Sequence, residues 1–148
     1  MQLDEAIVKY VLGLLPATNL PAVGVQALEA GYDSPSLRQL AGIGGDDPDV
    51  ARKLFIRSVQ EIGLIVPTPA EAGLCVARAI AGEVLTGAVT PYEGAKRIWD
   101  EICTRFPDIA ELTPFIGLAS EYEDDEQHRD SYSRRIVERC RGLMEMPA

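Results

Sequence analysis

Thr68-Pro-Ala-Glu-Ala-Gly-Leu-Cys-Val-Ala-Arg-Ala-Ile-Ala-Gly-Glu-Val-Leu85 is the stretch whose reading decides the fold. Its first four residues are a helix start. The threonine oxygen can accept from an otherwise orphaned N–H, Pro69 suits the first helical position, and Glu71 completes a capping box. Beyond Ala70 the only charges are Glu71, Arg78 and Glu83, and nearly every other position is apolar or small. A helix apolar on most sides is one that others surround. Gly73, Ala77, Ala81 and Gly82 would let neighbouring backbones come close. The stretch therefore predicts a central apolar helix near 70–86.

The same punctuation recurs on either side. Ser34-Pro35, Asp47-Pro48, Thr90-Pro91 and Thr113-Pro114 repeat the cap-then-proline signature, and Thr90 adds a second capping box through Glu93. Between these starts the apolar residues keep a helical period. Leu3, Ile7, Tyr10, Val11 and Leu14 stripe a first helix, and Val23 with Ala27 a second that stops near Gly31. Leu37, Leu40 and Ala41 give a short third. Val50, Leu54, Val59 and Ile62 line a fourth, ending at Gly63. Tyr92, Ala95, Trp99, Ile102 and Phe106 follow Thr90, with Trp99 read as core. Phe115, Leu118, Ala119 and Tyr122 follow Thr113, and Tyr132, Ile136, Cys140 and Leu143 stripe the last helix. The only strand-like run, Leu64-Ile65-Val66, is stopped by Pro67. The expectation is an all-α, single-domain irregular helical bundle spanning 1–148, with about seven or eight helices. Helix starts 21 to 23 residues apart leave a short HEAT-like repeat as the alternative.

Composition narrows the function. The 148 residues are 47% hydrophobic and 25% charged, the balance of a soluble globular chain. A formal charge of -9 argues against direct nucleic-acid binding, which needs surplus Lys and Arg for phosphates. The single histidine, His128, rules out a His-based metal cage. Cys75, Cys103 and Cys140 form no CxxC pair and are read as small core residues of a reduced, cytoplasmic protein. No signal peptide, membrane span, metal set or cofactor motif stands out. The Ala41–Pro48 loop lacks the lysine of a phosphate loop and carries aspartates that would repel phosphate.

Two segments, Gly31-Tyr-Asp-Ser-Pro-Ser-Leu-Arg-Gln-Leu-Ala-Gly42 and Gly117-Leu-Ala-Ser-Glu-Tyr-Glu-Asp-Asp125, resemble parts of small uncharacterised bacterial helical proteins. The likeness covers about 20 of the 148 residues. It implies a bacterial, all-helical protein and carries no activity.

Charge is segregated near the C-terminus. Residues 107–126 hold seven acids and no base, whereas 127–141 hold five arginines against two acids. The densest run supplies the candidate partner-binding residues Glu121, Glu123, Asp124, Asp125 and Glu126. Two functional readings follow. The favoured one is a non-catalytic, acidic interaction protein of the immunity, antitoxin or adaptor kind, whose acidic stretch meets a basic protein partner. The alternative is a small-ligand or enzymatic domain with Arg78, Glu83 and Glu93 lining a polar pocket between helices. The pattern leaves the oligomeric state open. Because the apolar stripe lapses between Tyr122 and Tyr132, a helix break is expected within 124–130. Asp124 or Asp125 would cap the last helix, with Arg139 and Arg141 complementing its far end.

Overall fold

The computed structural model describes residues 1–147, and among them the chain is all-α with no strand. Eight α-helices follow in order: α1 (Leu3–Val11), α2 (Leu20–Glu29), α3 (Pro35–Gly42), α4 (Pro48–Ile62), α5 (Pro69–Leu85), α6 (Pro91–Ile98), α7 (Thr113–Asp124) and α8 (Arg129–Glu145). They gather into two compact units, residues 1–68 and the chain from Pro69 onward, each with its own apolar core.

In the first unit, Leu20, Leu37, Leu40, Phe55 and Val59 are buried together. Ser34 caps α3 by accepting from the Leu37 N–H at 3.1 Å. Glu61, near the end of α4, takes the next orphaned donor of α3, the Ser36 N–H at 3.0 Å, and also the Ser36 hydroxyl at 2.7 Å. One carboxylate thus ties two helices at a helix N-terminus, where negative charge is favoured. Asp47 caps α4 through the Val50 N–H, and Gly63 ends it at φ 89°, a conformation that glycine adopts without strain. A Cβ on Gly24 would stand 3.1 Å from the Ala41 nitrogen, so α2 and α3 meet there backbone to backbone.

In the second unit α5 packs against α6 and α8. Ile80, Ile98, Ile102, Leu112, Phe115 and Ile136 form its interior. Thr90 makes a complete capping box with Glu93. Residues Trp99–Cys103 form one turn of π-helix, closed by the Thr104 N–H on the Trp99 carbonyl at 3.1 Å. The wider turn leaves both Ile102 and Cys103 buried, while Trp99 is half-buried under the Lys96 ammonium, 4.1 Å above its ring.

Several local expectations are corrected. Thr113 does not cap α7. A 3₁₀ turn, Ala110–Leu112, delivers the chain already helical, so Thr113 is inside the helix and Leu112 holds the cap position. Val50 is 41% exposed, because the inner face of α4 begins at Ala51. Cys75 is exposed rather than core: with Glu71, Ala79 and Glu83 it forms the outer stripe of α5, four residues apart. Gly82 meets nothing within 4 Å, so it permits no close approach, unlike Gly73, where a Cβ would lie 2.6 Å from Ile109 Cδ1. Leu64-Ile65-Val66 forms no strand, and Ile65 is 90% exposed.

The tightest helix contact of the second unit is testable. A Cβ on Gly94 would run into Val84 Cγ2, whose β-branched side chain has little rotamer freedom with which to yield. Gly94→Ala is expected to cost about 1–3 kcal/mol. Gly82→Ala, entering open space on a helix, should instead gain about 0.5–1 kcal/mol. Urea unfolding followed by Trp99, the only tryptophan, reads both.

Candidate functional site at the α7–α8 corner

The break between α7 and α8 falls inside the expected window. Asp125 leaves the helical region at φ -130°, ψ 86°, and one 3₁₀ turn, Glu126–His128, reverses the chain into α8. Asp125 does sit at this break, but the cap position of α8 itself is His128, which makes no side-chain cap bond. The Asp125 carboxylate is taken by side chains instead. Its Oδ2 accepts from the Tyr132 hydroxyl at 2.9 Å and lies 2.8 Å from His128 Nδ1. Those two contacts hold the Asp125 carboxyl below its ordinary range, the tyrosine contributing most. Arg139 and Arg141 do not reach the far end of α8, which continues to Glu145.

An aromatic cluster backs this corner. Tyr92 of α6 stacks on Tyr122 of α7, centroids 4.5 Å apart and planes within 13°. The Arg129 guanidinium lies 4.8 Å from the Tyr122 ring centroid, and its Nε donates to the Tyr122 carbonyl at 3.0 Å. That arginine thus serves the carbonyl end of α7, where a cation complements the helix dipole. Tyr122 is half-buried, as its place on the stripe requires.

The five acids divide by what they touch. Glu123 accepts from the Tyr92 hydroxyl at 2.8 Å and stands 3.8 Å from Lys96 Nζ. Asp125 is engaged as described. Asp124 and Glu126 are exposed, and among the described residues their side chains have no hydrogen bond or ion pair. Glu121 is exposed on the wall of an open groove between α7 and α8, of about 480 Å³, which it lines with Pro114, Gly117, Arg135 and Arg139. The sequence treats these acids as one run, but Glu123 and Asp125 are engaged, whereas among the described residues Glu121, Asp124 and Glu126 carry no side-chain hydrogen bond or ion pair.

Arg78, Glu83 and Glu93 are not joined by any contact. Arg78 donates to the Met144 carbonyl of α8 at 3.4 Å, Glu83 pairs with Arg97 of α6, and Glu93 closes the Thr90 capping box. Among the described residues the buried polar side chains are the serines at 34, 36 and 58. Ser34 and Ser36 serve the start of α3, and the Ser58 hydroxyl donates to the Leu54 carbonyl. Among the described residues no three His, Cys, Asp or Glu side chains are grouped to hold a metal ion, and no helix is long and apolar enough to cross a membrane. No family model, curated protein or solved structure matches the chain.

Asp125 gives the corner a pH signature. A carboxyl whose folded pKa lies below its unfolded value stabilises the fold above the unfolded pKa, near 3.9 for aspartate, and loses that contribution as pH falls through the folded value. Asp125→Asn should therefore lower the melting temperature at pH 6. The difference from wild type should shrink to nothing as the pH is taken well below about 3.9. Tyr132→Phe should lose part of the same difference. Thermal unfolding followed by circular dichroism across this range measures it.

Proposed function

We propose that this is a non-catalytic acidic interaction protein whose α7–α8 corner covers a basic surface on a partner protein, in the manner of immunity, antitoxin and adaptor proteins. The observation that carries the reading is the sorting of the acidic run. Asp124 and Glu126 face water from a turn that Asp125, Tyr132, Tyr122 and Arg129 hold in place. Charges fixed on a short, braced turn keep their geometry on binding, so little ordering cost attends association. The overall charge of -9 adds long-range attraction toward a basic target. The separate engagements of Arg78, Glu83 and Glu93 favour this reading over a ligand pocket built from them. Reduced cysteines suit a cytoplasmic setting, and the partner site is protein rather than nucleic acid.

The double variant Asp124→Asn/Glu126→Gln removes two charges that make no internal contact, so its melting temperature should match wild type. Retention of the host partner on the immobilised protein should fall in the variant. In the wild type it should fall again when salt is raised from about 0.05 to about 0.5 M, which shortens the screening length roughly threefold. Equal retention by variant and wild type at low salt would remove this corner from the account.

A further inference from the structure

The groove between α7 and α8 has walls of opposite charge. Glu121, Arg135 and Arg139 line one section of it together, and Glu111, Arg139, Gly142 and Met146 line the next. The wall made by α7 and the 3₁₀ turn before it carries Glu121 and Glu111 and no base. The α8 wall carries Arg135 and Arg139, about 40° apart round the helix, together with one acid, Glu138, about 100° from Arg139. Among the described residues none of these five side chains forms an ion pair, although Arg135 and Glu138 stand three apart on one helix. The groove continues past Arg139 into a second section of about 500 Å³, so it runs along both helices.

Two glycines open the walls. Gly117 and Gly142 lie inside helices with ordinary negative φ, and a Cβ at either would meet nothing within 4 Å. A helical glycine weakens its own helix relative to alanine. Gly24, Gly73 and Gly94 each accommodate a close neighbour within the chain. Gly117 and Gly142 accommodate none, and both face the groove.

We infer that the groove is a self-association surface, in which a second copy of this chain docks its own α7–α8 groove about a two-fold axis running along the groove. The charges choose both the occupant and the axis. A two-fold along the groove sets each α7 wall against the partner copy's α8 wall at the same level, so Glu121 faces the arginine wall twice over. A two-fold across the groove would set acid wall against acid wall, which is repulsive. A uniformly basic partner would be repelled by Arg135 and Arg139, and a uniformly acidic one by Glu111 and Glu121. The glycines let the four helices approach closely. This inference does not rest on the partner reading of Asp124 and Glu126, which lie outside the groove lining.

The test is sedimentation of the full chain from about 1 to about 300 µM at low salt, a range in which a micromolar interface changes state. The expected result is a concentration-dependent shift from the 16.1 kDa monomer to twice that mass. Arg135→Glu/Arg139→Glu makes both walls acidic, and Glu111→Arg/Glu121→Arg makes both basic. Each variant alone should weaken self-association about a hundredfold or more, and mixing the two should restore a dimer. Gly142→Leu, which enters open space, should leave circular dichroism unchanged and abolish the dimer; it keeps the test decisive if a charge variant misfolds. Wild type that stays monomeric throughout, or a dimer that survives Gly142→Leu, overturns the inference.

Discussion

One oxygen atom, Asp125 Oδ2, ties together the corner between α7 and α8. It receives the Tyr132 hydroxyl and the His128 ring nitrogen where the backbone leaves the helix. Tyr132 sits one turn inside α8, so the bond links the break to the first turn of that helix. The corner from which Asp124 and Glu126 project is braced by that bond, while the groove follows from the packing of α7 and α8 in one core. The Arg129 bond to the Tyr122 carbonyl reinforces the same turn from the other side. Each contact is exposed enough to be modest alone. Their effect comes from converging on the four residues between two helices whose apolar faces are already buried in one core.

The acids illustrate how one composition serves several physical tasks. Glu61 satisfies the start of a helix, Glu93 closes a capping box, and Glu123 receives a phenol hydroxyl, pushing the pKa of Tyr92 up in return. Glu83 meets Arg97 between α5 and α6, where Glu101 also approaches. A net charge of -9 is therefore not a diffuse solvation shell. Much of it is committed to helix ends and helix pairs, and three uncommitted acids, Glu121, Asp124 and Glu126, fall within six residues at one corner.

Helix starts were the most legible part of the sequence because their determinants are local. Ser34, Asp47 and Thr90 cap where the cap-then-proline signature places them, since the accepting oxygen and the donor lie three residues apart. Thr113 carries the same signature and fails, because the 3₁₀ turn before it depends on how Ile109 and Leu112 are buried, which no cap motif encodes. Cys75 was misplaced for a related reason. In a helix this rich in alanine and glycine the period is faint, and its exposed stripe is drawn by the neighbours α6 and α8. The break at Asp125 was legible as a lapse in the apolar stripe, but the bonds that make it rigid join residues seven apart and were not. The groove was illegible altogether, being a product of the register between two helices.

The three cysteines, all in the second unit, divide that unit into reactive and silent sulfur. Burial raises the thiol of Cys103 and pushes that of Cys140 up to about 11, so both stay protonated and shielded near neutrality. Cys75 stands on the outer stripe of α5, open to solvent. Thiolate rather than thiol reacts with an electrophile. One sulfur per chain is then modified promptly, and the other two only when the core around Phe115 and Ile136 opens. The rate of that second modification is a clock for native-state opening, carried by the unaltered chain and blind to the first unit.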